Sequence, residues 1–136
     1  MIPIIDIEGD IYSDIADELR DKHPGINVYG EYVDKPARFP AVTLVEADNR
    51  VFDRMRTLNI DNAASVMWEA NIYSNKSSGK KAEAKAIADT LDKKFSEIGF
   101  TRTLRNQVAN LNDSTIYRIV CRYEAVIDKD FWIYQN

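Results

Sequence analysis

The 136-residue chain is poor in the side chains from which metal and catalytic sites are most often built, with one cysteine and one histidine. A structural zinc site takes about four nitrogen or sulfur ligands, so it is excluded. A lone cysteine also excludes an internal disulfide. Glycine and proline are scarce, at five and four, and no repeat, linker or low-complexity stretch is visible. A basic excess is missing too: 18 Lys+Arg face 22 Asp+Glu, for a net charge of −4. A dedicated nucleic-acid binder would usually be basic. No window approaches the ~18 apolar residues of a membrane span. The segment Met1-Ile2-Pro3-Ile4-Ile5-Asp6 has no basic start and its apolar run stops at Asp6, which does not make a signal peptide. The expectation is a protein made in a reducing compartment, with Cys121 a small core residue.

Hydrophobic residues make up 45% and charged residues 29%, the balance of a folded domain and not of a disordered chain. One domain of this length buries about two-thirds of its unfolded surface. Ile11, Ile15 and Leu19 recur every four residues, with Tyr12 and Ala16 beside them. They predict a helix over 8–22, ended by Pro24-Gly25. A second helix is predicted over 80–98, where Ala84, Ile87, Ala88, Leu91, Phe95 and Ile98 form one stripe and Gly99 is placed as the cap.

Strands are predicted over 26–33, 41–45, 65–75, 100–105 and 115–128. In the third, Val66, Trp68, Ala70 and Ile72 alternate with Met67, Glu69, Asn71 and Tyr73. In the last, Tyr117, Ile119, Cys121, Tyr123, Ala125 and Ile127 oppose Arg118, Arg122, Glu124 and Asp128. Residues 106–114 read as a polar loop, and Phe131-Trp132-Ile133-Tyr134 as an aromatic end that can add a short strand. Residues 47–62 have no clean period and read as a mobile hairpin or loop, or as a strand pair. The expected fold class is α+β: an antiparallel or mixed β-sheet with two main helices packed on one face. It spans 1–136 as one domain, with a mobile loop at 47–62 and an aromatic C-terminal arm at 129–136.

The candidate chemistry is thin. Ser77-Ser78-Gly79-Lys80-Lys81 is close to the end of a phosphate loop. Ser74 stands where the first glycine belongs and Lys81 where the hydroxyl residue belongs, so a polar strand-to-helix turn is the simpler reading. His23 precedes Pro24-Gly25, where a protonated ring would complement a helix C-terminus. Asp14, Asp17, Glu18 and Asp21 read as a solvated helix flank. Arg118 and Arg122 can pair with Glu124 or Glu69 across the sheet. Trp68, Tyr73, Phe100, Tyr117 and Tyr123 sit where strand aromatics fill cores. No catalytic, cofactor-binding or metal-ligating residue is assigned. Charge is unevenly spread: residues 1–48 hold 4 basic and 11 acidic side chains, net −7, and residues 49–123 hold 13 basic and 8 acidic, net +5. If these patches lie on different faces, copies can associate head-to-tail.

The segment Trp68-Glu69-Ala70-Asn71-Ile72-Tyr73-Ser74-Asn75-Lys76, with Gly79-Lys80-Lys81-Ala82 after it, carries a resemblance. So do Phe39-Pro40-Ala41-Val42-Thr43, Gly99-Phe100-Thr101-Arg102 and Arg118-x-x-x-Arg122-Tyr123-Glu124-Ala125. Over roughly 38–128 the chain resembles the small tail-terminator or tail-completion proteins, often labelled minor capsid proteins, of long-tailed bacteriophages. The resemblance implies a structural, non-enzymatic virion protein with no cofactor. It implies a homo-oligomeric ring, usually a hexamer, at the head-proximal end of the tail tube, ending tube polymerisation and offering the docking surface for the head. Its partners would be itself, the tail-tube protein and a head-side connector or stopper. It implies no membrane and no sequence-specific nucleic acid as partners, with passage of DNA through the ring allowed. The protein would sit in the virion tail or neck, and in the host cytoplasm during assembly. Arg50, Phe52, Arg54, Arg56, Arg118, Arg122, Phe131, Trp132 and Tyr134 are the expected interface residues. Two other readings stay open: a head-side adaptor or stopper of the phage neck, and a cellular α+β ligand-binding or regulatory domain.

Overall fold

The first helix, α1 (Glu8–Lys22), forms where the four-residue apolar spacing predicts it and buries Ile11, Ile15, Ala16 and Leu19. A computed structural model describes residues 7–33, 35–51, 63–109, 113–128 and 133–134. The second helix, α2 (Lys80–Glu97), buries Ala84, Ile87, Ala88, Leu91 and Phe95. Gly79 and Gly99 flank it with φ of 88° and 103°. An L side chain is strained in that left-handed region, which is why glycine stands at both ends.

Among the described residues six strands make one sheet: β1 (Asn27–Tyr29), β2 (Ala41–Val51), β3 (Ala63–Ser74), β4 (Thr101–Ala109), β5 (Tyr117–Asp128) and β6 (Ile133–Tyr134). Their order is β1-β2-β3-β5-β4. The β1–β2 pair is parallel and the other four described pairs are antiparallel. β4 ends its pairing with β5 at Glu124, and β6 takes up the same edge at Val126 and Ile127. The fold is the expected α+β arrangement, in its mixed-sheet form.

Both helices pack on one face of the sheet. Val42, Leu44, Val66, Trp68, Ala70, Ile72, Ile119, Cys121, Tyr123, Ala125 and Ile127 supply the sheet side of that core. The predicted faces of β3 and β5 therefore hold. Phe95 is the centre of an aromatic group, stacked on Tyr123 at 4.1 Å and edge-on to Phe100 at 5.4 Å. Each such large side chain stabilises by roughly 1.5–3 kcal/mol when fully buried. Cys121 is fully buried, as a small core residue.

Three predicted boundaries need correction. The strand expected over 26–33 is only Asn27–Tyr29, because the chain must leave it to cross over and return parallel as β2. The strand expected over 41–45 continues to Val51, so of the two readings of 47–62 the strand reading is the one that holds over 47–51. A bulge between Glu46 and Asp48 breaks the alternation there, which hides the period. Likewise 106–109 is not loop: Asn106, Gln107, Val108 and Ala109 pair with Val120, Ile119, Arg118 and Tyr117. A second bulge, between Arg102 and Leu104, disrupts the pattern of β4.

Candidate interaction surface

A sheet covered by helices on one side leaves the other side to be explained. Register assigns that helix-free face from the residues upward, and part of it is itself buried: Ala41 and Tyr73 pack with Ile116, Tyr29 and Phe39, and Thr43, Asn71 and Val120 are buried beside them. Ala41, Tyr73, Arg118 and Val108 share one row; Thr43, Asn71, Val120 and Asn106 the next; Val45, Glu69, Arg122 and Leu104 the third; Arg50, Ser65 and Val126 a further one. The structure thus brings three of the predicted interface residues, Arg50, Arg118 and Arg122, to one surface. Phe52, Arg54, Arg56, Phe131 and Trp132 lie outside the described residues, as do 52–62 of the unpatterned segment. The backbone of Tyr134 pairs with Val126 in the chain's own sheet, so the end adds the short strand that its composition allows.

The open face carries a connected polar row. Arg122 Nε donates to Glu69 Oε2 at 3.0 Å. Asn71 Nδ2 donates to the other oxygen of Glu69 at 3.2 Å. Arg118 donates to Asn71 Oδ1 from Nε at 3.0 Å and from Nη2 at 2.6 Å. The guanidinium of Arg118 also sits 5.6 Å from the centre of the Tyr73 ring, a cation–π distance. Glu69 is one of the two partners expected for Arg122, and the structure selects it over Glu124. For Arg118 the partner is an amide, so its charge is not neutralised by the contact. Arg122 remains 45% exposed and Glu69 14% exposed, which leaves the arginine available to an outside group. Arg50 lies 2.9 Å from Asp48 and is largely exposed.

Two features of this face were not readable in advance. Tyr32, 57% exposed, reaches Glu69 from the β1–β2 connection. Burial and the Glu69 charge, with a hydrogen bond to it, raise its phenol above the usual range, and Arg122 partly offsets them. Thr43 is fully buried in β2, and its hydroxyl has no hydrogen-bond partner among the described residues. Nothing in strand periodicity signals either one.

The helix side holds a second polar group. Asp92 accepts from Tyr123 OH at 2.5 Å, from Arg102 at 2.6 Å and from Arg105 at 3.1 Å. Arg105 also meets Asp89 at 2.9 Å. The group joins α2 to β4 and β5. Removal from water pushes the Tyr123 phenol well above its ordinary value, and the neighbouring Cys121 and Asp92 add to the shift. A phenol held protonated in this way is a structural donor and not an acid catalyst near neutral pH.

His23 stands at the end of α1, where its backbone N–H bonds to Leu19 O. The capping position expected for it therefore holds, and its ring reaches across to the other helix. Nε2 lies 2.8 Å from Thr90 Oγ1 on α2, and burial lowers its pKa, against the opposing charge of Glu83. The neutral ring ties the two helices together. Gly79-Lys80 is the expected strand-to-helix turn, with Lys80 Nζ donating to Thr115 O at 3.1 Å. Among the described residues no group of three or more His, Cys, Asp or Glu side chains is placed to hold a metal ion. No helix among them is long and apolar enough to cross a membrane. Between α1 and α2 a cleft of about 420 Å³ is lined by charged side chains, including Glu18, Lys22, Asp89, Lys93 and Glu97. That lining does not suit an apolar ligand. No family model and no curated protein matches the chain.

Proposed function

We propose that this chain is a structural protein of a long-tailed phage that works as a ring of copies at the head-proximal end of the tail tube. In that role it ends tube growth and offers the surface on which the head docks. The observation that carries the reading is the open sheet face. It spans β2, β3, β5 and β4 with no helix among the described residues over it; beside a part that is already buried at Ala41, Thr43, Asn71, Tyr73 and Val120, it sets exposed Arg50 and Arg122 and half-buried Arg118 among half-buried Val45, Met67, Leu104, Val108 and Val126. An apolar surface studded with arginine suits contact with another protein better than it suits turnover of a small molecule. The polar groups described above act as braces between elements, which supports a protein that works by shape.

The test reverses charge along β2 and the segment after it. A chain with Arg50→Glu, Arg54→Glu and Arg56→Glu should fold as the parent does and fail to join tails to heads in a complementation assay. Normal yields of joined particles would contradict the proposal. Labelled protein found on the head side of the neck, away from the tube end, would reassign it to an adaptor or stopper role.

A further inference from the structure

We propose that the groove between the first half of α2 and β4 is the seat for the acidic outer face of α1 from a second copy of this chain. The inference rests on the ring reading above and deepens it by naming the contact between neighbours.

The groove encloses about 280 Å³ and is lined by Lys81, Lys85, Arg105, Asn106, Gln107 and Tyr117, with Ile119 at its floor and no carboxylate in its lining. Arg105 is committed to Asp89 and Asp92. Lys81 and Lys85 are both exposed, and neither has an ion-pair partner among the described residues. They stand four positions apart on α2, one turn, so their ammonium groups face the same way.

The complementary surface lies on α1. Asp10, Asp14, Asp17 and Asp21 are all exposed. Their spacing of four, three and four residues makes a single stripe, on the side opposite buried Ile11, Ile15 and Leu19. Asp17 and Asp21 have only loose, exposed partners, Arg20 at 3.7 Å and Lys22 at 3.9 Å. Asp10 and Asp14 have none among the described residues. Like charges so spaced destabilise a helix. A row of cations laid against the stripe removes that repulsion. Asp10 and Asp14 repeat at the same one-turn interval as Lys81 and Lys85, so two antiparallel helices can match them pair for pair.

The placement suits a chain of copies. The α2–β4 groove sits at the β4 edge of the sheet, and α1 contacts α2 from its other side. Donor and acceptor are thus different patches of one molecule. Such a heterologous contact generates a closed ring when its rotation closes. A nucleic-acid backbone is the other anion that could meet the lysines. The chain's net charge of −4 and the acidic stripe on the same helix layer work against a polyanion.

The experiment measures mass by light scattering on the full chain at low salt, with and without preformed tail tubes. Lys81→Glu with Lys85→Glu should weaken assembly at least ~10-fold, as should Asp10→Lys with Asp14→Lys. A chain carrying all four substitutions should regain assembly, which a merely destabilising change would not. If the parent assembles and the lysine variant assembles equally well, this interface is wrong and the ring reading stands. If the four-substitution chain folds and stays unassembled, the pairing is wrong. If the lysine variant assembles normally but loses binding to a short duplex DNA that the parent binds, the groove is a nucleic-acid seat and the proposal fails. A parent that is monomeric with and without tubes overturns both readings together.

Discussion

Cys121 shows how far a single residue could be read. Its place in an alternating strand marked it as core, and the structure buries it completely. Burial pushes its thiol up from 9.0 to about 11, ahead of smaller effects from Tyr123, Asp92 and the nearby arginines. The unfolded chain therefore loses this proton first. The stability that the protonated thiol confers is whole below pH 9 and is lost as pH rises toward about 11. Urea midpoints measured across that window should fall for the parent and fall less for Cys121→Ala; parallel curves would contradict this. The pair Arg122–Glu69 was legible in the same way, since cross-strand neighbours follow from alternation and register. The bond from Tyr123 to Asp92 was not. The two residues are 31 positions apart and on different elements, and no local period connects a strand aromatic to a helix carboxylate.

At the scale of elements, helices were easier to read than strands. The boundaries of α1 coincide with its apolar spacing, and α2 ends one residue before the predicted limit. The misreading of β2 falls at a bulge, beside Glu46, and that of β4 follows a bulge between Arg102 and Leu104. One extra residue moves every later side chain to the opposite face, so a true strand stops looking periodic. The bulge in β4 has a second effect. β4 is an edge strand, and a bulge together with charged Arg102 and Arg105 discourages unwanted pairing along it. Asp92 holds this edge to α2 through two donors, Arg102 and Arg105, and holds β5 through a third, Tyr123. Asp92→Ala would take the carboxylate acceptor from the buried Tyr123 phenol, release Arg102 and leave Arg105 with Asp89 alone, at a cost of about 2–3 kcal/mol. Thermal melting should report the loss, and amide exchange should rise first in β4. An unchanged melting temperature would show that the group braces nothing.

At the scale of the whole molecule, the linear charge asymmetry becomes a spatial one. The acidic N-terminal third contributes α1, whose outer stripe faces solvent. The basic middle contributes Lys81 and Lys85 beside β4 and the arginines of the open sheet face. Composition could announce the asymmetry but not the geometry, because only the packing of α2 between α1 and β4 separates the two patches. Contacts of this kind weaken as salt shortens the Debye length below about 10 Å. The measurement closest to the central claim is the mass and shape of the native protein on tail tubes, by light scattering and electron microscopy. The account predicts a closed ring, an integral multiple of 15.6 kDa, seated at one end of each tube and halting its growth. Tubes that lengthen unchecked beside a persistently monomeric protein would contradict it.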